Sequence, residues 1–418
     1  MANVSSSNGL EKSPKLRFKG FSEPWKTETL GNLGAFMKGA PLSKADITDE
    51  GTPFILYGEL YTTYGEVTRS IKRRTDKIVE PQFYSRVGDV IMPTSGETPE
   101  DIATASCIML PNVILAGDLL IYRTQKVDGR LVSFVVKNKV NKQISSVAQG
   151  KSVVHVRAEE LSKVAITYPS AAEQQKILTM LELLEDKIIK QRELIERLKK
   201  YKRGVITSIL KQKIRFNSGV EKYPEWSTIR LDELGFFFGG LSGKTKDDFE
   251  HGDGKFITYL NVFRNTFALE KGVTLVDVKP NEKQNVIQYG DILFTQSSET
   301  VEEVGMSSVW LHQSTPYLNS FCMALRPYSL EYINPKYIGY VLRSEQVRLQ
   351  IMKEGQGISR INLASSRIRG VTLPMPCLEE QNHIVKFMDG IEATEAFHSQ
   401  LLLQMQSLKS SLLQKLFI

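Results

Sequence analysis

At 418 residues the chain has room for two ordinary domains, and a composition of 41% hydrophobic and 24% charged residues excludes a disordered or fibrous protein. Lysine and arginine exceed aspartate and glutamate by 54 to 47, a net charge of +7, which permits a polyanionic partner without proving one. Cys107, Cys322 and Cys377 are scattered with no CxxC pair, which argues against a disulfide framework or structural zinc; a Ser-rich N-terminus without an apolar leader, and no apolar run of about 18 residues, point to the cytoplasm and no membrane.

In chain order, residues 1–14 are expected to be a disordered tail. Residues 15–168 predict a strand-rich mixed α/β unit. Its short apolar runs, such as Phe54-Ile55-Leu56-Tyr57, Val90-Ile91-Met92 and Leu119-Leu120-Ile121-Tyr122, are punctuated by Gly, Pro, Asn and Asp. Residues 169–213 predict one long helix. From Ala172 there is no proline, and Ile177, Leu181, Leu184, Ile188, Ile195, Leu198, Val205 and Ile209 keep a coiled-coil stripe. Residues 214–374 predict a second strand-rich unit, with Phe256 to Leu260 and Ile292-Leu293-Phe294 as strands. A helix from Pro335 to about Lys353 is capped by Asn334. Residues 375–418 predict a second long helix.

The second half repeats the first. Glu173-Gln174-Gln175-Lys176-Ile177 returns as Glu380-Gln381-Asn382-His383-Ile384, an offset of 207 residues (380 minus 173). The same offset carries the stripe onto Ile384, Met388, Ile391, Glu395, Leu402, Met405, Leu412 and Leu416. Polar interruptions coincide as well: Gln191 falls on His398 and Lys202 on Lys409, which suits register control. Weaker echoes join Lys15-Leu16-Arg17-Phe18 to Lys213-Ile214-Arg215-Phe216, Trp25 to Trp226, and Gly88-Asp89 to Gly290-Asp291. Compact domains keep their ends close, so the second helix should run back along the first, antiparallel, with about forty residues spanning roughly 60 Å. The expected fold class is therefore α/β: two strand-rich units separated by two long antiparallel coiled-coil helices, a pseudo-two-fold internal repeat.

No constellation carries catalysis. Gly239-Gly240-Leu241-Ser242-Gly243-Lys244-Thr245 is one residue short of a phosphate-cradling loop, and reads instead as a flexible basic loop. His155, His251, His312, His383 and His398 have no metal-ligand spacing, and Asp89 and Asp291 suit turns that start buried strands. No cofactor or metal is expected. What remains is a binding surface that interleaves aromatic and basic groups. In the first unit its candidates are Tyr57, Tyr61, Tyr64, Arg69, Lys72, Arg73 and Arg74, with Thr94 and Ser95 after the Gly-Asp strand. In the second they are Lys244, Lys246, Tyr259, Asn261, Arg264 and Asn265, with Gln296, Ser297 and Ser298 after its counterpart.

Two dissimilar units alternate with two similar helices, each introduced by Pro-x-x-x-Glu-Gln: Pro169 to Glu173-Gln174 and Pro376 to Glu380-Gln381. This pattern, over nearly all of residues 15–418, closely resembles the specificity subunit of type I restriction-modification systems. The resemblance implies that each unit is a target recognition domain reading one half of a split double-stranded DNA target. It further implies that the helices set the spacing and dock two methyltransferase (modification) subunits, to which restriction subunits add. Methyl donor and ATP would belong to those partners. A coiled-coil scaffold that binds only proteins is the alternative.

Overall fold

The computed structural model describes residues 14–147, 154–217 and 222–417, so residues 1–13 of the expected tail lie outside it. Two long helices, Ala171–Leu210 of 40 residues and Leu378–Leu416 of 39, carry the repeated stripe. The chain divides into two compact units, residues 1–192 with 401–418, and residues 193–400. Each unit thus holds one globular domain with half of each long helix.

In the first unit the chain enters and leaves side by side. Lys26–Thr29 pairs antiparallel with Ala165–Tyr168. The main sheet has the order Gly34–Lys38, Leu119–Thr124, Asp89–Pro93, Ser106–Ile108, Val67–Thr68. Its second and third strands read as continuous apolar runs because both faces are covered: Ile121 lies opposite Ile91 and Tyr122 opposite Val90, all four fully buried. A smaller sheet sets Thr52–Leu56 parallel to Ile114–Ala116. Helix Gly129–Asn138, capped by the Asp128 side chain, turns Leu131, Val132, Val135 and Val136 onto the main sheet.

The second unit repeats this plan. Ser227–Arg230 pairs with Thr372–Met375 at entrance and exit. The main sheet runs Gly235–Gly239, Cys322–Pro327, Ile292–Thr295, Ser307–Val309. The smaller sheet sets Phe249–Ile257 parallel to Tyr317–Leu318. Asn334 caps helix Pro335–Leu342, as its position before Pro335 predicts.

Within each unit the long helices pack antiparallel. In the first, Ile177, Leu178 and Leu181 near the start of one helix share a core with Leu413, Leu416 and Phe417 at the end of the other. In the second, Val205, Ile206 and Ile209 share a core with Ile384, Val385, Met388 and Ile391. Of the predicted stripe, Ile177, Leu181, Ile188, Ile195, Ile384, Met388 and Ile391 are buried, while Leu184, Leu198, Leu402, Met405 and Leu412 are half-buried. The repeated lysines meet repeated glutamates: Lys409 Nζ lies 2.6 Å from Glu185, and Lys202 Nζ lies 2.6 Å from Glu392. A salt bridge at matching seam positions admits one register and penalises its neighbours. No helix among the described residues is long and apolar enough to cross a membrane.

Candidate nucleic-acid interface

Each domain is clamped to its long helix by the Glu-Gln pair. Glu173 is buried and receives Arg17 Nε at 2.8 Å and Nη2 at 2.9 Å. Gln174 donates to Pro169 O (2.9 Å) and accepts from the backbone of Asp128 (3.0 Å), the cap of the domain helix. The second unit repeats each bond: Arg215 to Glu380, Gln381 to Pro376 O, and Asn334 N to Gln381. The echoed Arg17 and Arg215 are therefore the partners of the echoed glutamates.

The Gly-Asp turns aim the strands that lead to the candidate surface. Gly88 and Gly290 have φ of +97° and +90°, a region that disfavours side chains. Asp89 accepts from Arg86 N and from Arg123, and Asp291 from Gln288 N and from Arg326. Both carboxylates are buried, and hydrogen bonding to Asp291 raises the affinity of the Arg326 guanidinium for its proton.

Beyond these strands the two units build the same backbone frame. Thr94 N donates to Asp118 O at 2.8 Å and Val156 N to Thr94 O at 3.0 Å; Gln296 N donates to Phe321 O and Leu363 N to Gln296 O, both at 2.8 Å. A tyrosine crosses each frame from the short helix alongside. Tyr61 Oη donates to Ser95 O and Tyr259 Oη to Ser297 O, each at 2.6 Å. Burial raises the pKa of both phenols. Ser95, Ser297 and Ser298 are themselves buried, and the Ser298 hydroxyl donates to Thr300 O. The side chains on the frame differ: Thr94 and Asp118 in one unit, Gln296 and Phe321 in the other.

The remaining candidates are distributed unevenly around this frame. In the first unit Tyr57 stands edge-on to Tyr61, and Arg73 is held by Glu59 at 2.9 Å. Both line a cleft of about 1560 Å³ together with Lys38, Thr94, His155 and Arg157. Lys72 and Arg74 are exposed, with Arg74 donating to Gly51 O. Tyr64 packs inward and accepts from Lys72 N. Arg69 turns instead to Glu182 on the long helix, at 2.6 Å. In the second unit Arg264 and Lys246 are exposed. Asn261 is buried with its amide spent on Leu269, donating to the carbonyl and accepting from the N–H, and Asn265 donates to Asn261. The loop around Lys244 is a correction to the sequence expectation. Lys244 is half-buried, with its side chain laid against Glu282 at 2.6 Å, and Gln284 bridges both the N–H and the carbonyl of Ser242, so this loop is pinned by side chains.

The family model for the type I restriction modification DNA specificity domain matches this chain twice, over residues 22–200 and 223–406. The chain belongs to that family. It is 21% identical, over 88% of its length and 86% of the relative's, to the type I restriction enzyme MjaVIII specificity subunit of Methanocaldococcus jannaschii. Its fold is similar to the S subunit of a type I restriction-modification system from M. genitalium, with 16% identity, a TM-score of 0.56, and 97% and 99% of the two chains covered. It is also similar to a chain from a structure on assembly and conformational transition of the type I system, with 18% identity, a TM-score of 0.60, and 94% and 97% covered.

Several residues that shape these specificity domains escape a reading of the sequence. Arg343 donates to four carbonyls, of Ser307, Val262, Phe263 and Asn265, and Arg348 to those of Gly305, Glu302 and Val304. Burial pulls each guanidinium down to about 10. Arg343 ties helix Tyr259–Arg264 to strand Ser307–Val309 and Arg348 braces the loop before that strand, yet a carbonyl-bound arginine leaves no partner residue type to find. The long helices also carry two equivalent apolar grooves. One is lined by Phe18, Met180, Leu183, Leu184, Leu408 and Leu412, the other by Phe216, Phe387, Ile391, Leu198 and Tyr201. Met180 and Phe387 stand 207 residues apart, as do Leu184 and Ile391.

Proposed function

We propose that this chain is the DNA sequence-specificity subunit of a type I restriction-modification complex, and that each specificity domain reads one half of an asymmetric bipartite target. The observation that carries the reading is the shared frame with unlike side chains. Thr94 and Asp118 occupy the positions that Gln296 and Phe321 occupy in the second unit, so equivalent loops would meet DNA with different chemistry. The basic excess supplies sequence-independent, salt-dependent affinity. We assign the equivalent grooves on the helices to two copies of one methyltransferase subunit, with restriction subunits added to that assembly, and the length of the helices to the spacing between half-sites. Methyl transfer and ATP-driven cleavage belong to the partners, and this chain contributes recognition.

The test is a domain exchange. Residues 222–370 are replaced by the corresponding domain of another specificity subunit, and the methylated motif is mapped in cells that also make the methyltransferase subunit. One half of the motif changes and the other stays. A motif that changes in both halves, or in neither, would refute modular reading. A purified complex that binds competitor duplexes without sequence preference would make the chain a protein scaffold instead.

A further inference from the structure

The loop 355–360 of the second unit joins helix Glu345–Lys353 to the short strand Ile361–Asn362. Its base is closed by two backbone bonds, Gln356 N to Asn362 O at 2.9 Å and Asn362 N to Gln356 O at 2.7 Å. Gly357 has φ of +133°, and a Cβ there would lie 2.0 Å from Arg360 O, so the turn needs glycine. At the tip of this fixed turn Ile358 is 102% exposed. A β-branched apolar side chain in that position contributes nothing to folding. Beside it Arg360 lies over the ring of Phe321, itself 57% exposed, at 6.0 Å.

The loop belongs to the recognition frame. Ile361–Asn362 pairs with Ser297–Ser298, and Gln296 is bonded to both Phe321 and Leu363. Burial raises the pKa of the Tyr259 phenol, which is bonded to Ser297, and the nearby Arg360 guanidinium opposes that rise. The sequence of the turn also repeats. Gln149-Gly150-Lys151-Ser152 precedes Gln356-Gly357-Ile358-Ser359 by 207 residues, the offset of the helices. In sequence the glutamine, glycine and serine recur, and Lys151 stands where the second copy has Ile358.

We propose that Ile358 is a specificity-determining residue, making an apolar contact to one base of the half-site read by the second unit, while Arg360, braced on Phe321, holds the adjacent phosphate. This rests on the DNA-recognition reading above. An apolar side chain presented to a duplex contacts a thymine methyl or wedges into a base step, whereas a lysine in its place seeks phosphate or guanine. A planar guanidinium stacked on a ring keeps its N–H edge free for phosphate.

The experiment uses the full chain assembled with its methyltransferase subunits. Ile358→Ser and Ile358→Lys are compared with wild type by motif mapping and by kcat/KM on the wild-type duplex. The expected result is a relaxed or altered base at one position of the second-unit half-site, with kcat/KM on the original duplex lowered about 5- to 100-fold. The other half-site and the thermal midpoint of the exposed-site variants stay unchanged. In wild type, uracil for thymine at that position lowers kcat/KM if the contact is to the methyl, and leaves it unchanged if the contact is a wedge. An unaltered motif with unaltered kcat/KM for both variants overturns the proposal, as does an equal loss in both half-sites. If the wild-type complex methylates no split motif, the underlying recognition reading fails instead.

Discussion

Arg17 and Glu173 lie 156 positions apart in sequence, yet Nε and Nη2 of the arginine grip the two carboxylate oxygens at 2.8 and 2.9 Å, fixing the start of the domain to the start of its helix. Arg215 and Glu380 repeat the grip in the second unit. Removing the arginine leaves a buried carboxylate without its cation. Arg17→Ala and Arg215→Ala should each destabilise their own unit by about 2–4 kcal/mol, somewhat less than for a fully enclosed pair because the arginines are partly solvated. Urea unfolding of the single and double variants measures this, and the losses should add because the two clamps share no partner.

The two clamps differ at their tryptophans. Trp226 Nε1 donates to Glu380 at 2.9 Å, whereas Trp25 Nε1 is buried with no hydrogen-bond partner among the described residues. Replacing an indole by a phenyl ring loses a hydrogen bond in one unit and a desolvated donor in the other. We expect Trp226→Phe to cost about 1 kcal/mol more than Trp25→Phe. Equal costs in paired unfolding curves would show that the bond to Glu380 contributes nothing.

These clamps mark what was legible in the sequence and what was not. The Glu-Gln pair and the echoed Arg17 and Arg215 were visible as repeats because the same interaction is made twice. The antiparallel helices followed from the chain ends of the second unit, which Ser227–Arg230 and Thr372–Met375 do bring together. The candidate surface was read less well. Asn261 and Lys244 have residue types suited to DNA, but burial turns their polar ends inward, and burial depends on tertiary neighbours that composition does not reveal. Ile358 and Phe321 were passed over for the opposite reason, since an apolar residue in a strand-rich segment is ordinarily core.

Close backbone approach makes a pair of glycines another test of the shared plan. Gly34 and Gly235 begin equivalent edge strands, and a Cβ would lie 2.3 Å from Arg123 O in one and 2.0 Å from Arg326 O in the other. Both carbonyls belong to sheet backbone and cannot move without disturbing the ladder. Gly34→Ala and Gly235→Ala should each lower stability by about 1–3 kcal/mol through overpacking. Thermal midpoints of the two variants check this. An unchanged midpoint would mean that the edge strand shifts freely.

The Lys409 site should leave a signature in pH. For Glu66, burial favours the neutral acid, but Lys409 and Lys137 outweigh it and hold the carboxyl below its usual range. Lys409 is pulled down by burial and raised on balance by Glu66 and Glu185. A depressed carboxyl contributes stability that is present above its unfolded value, about 4.3, and lost as pH falls through the lower folded value. A raised lysine contributes stability that is present below about 10.4 and lost as pH rises through its higher folded value. Wild type should therefore be flat at this site between about pH 5 and 9. Lys409→Met removes the main cation, so burial dominates and Glu66 must be ionised at a cost near neutrality. The variant's deficit should be larger at pH 7 than at pH 4, by about 1–2 kcal/mol. Urea unfolding of both proteins at the two pH values measures the difference, and a deficit that shrinks toward pH 7 would show that Lys409 is not what keeps Glu66 charged.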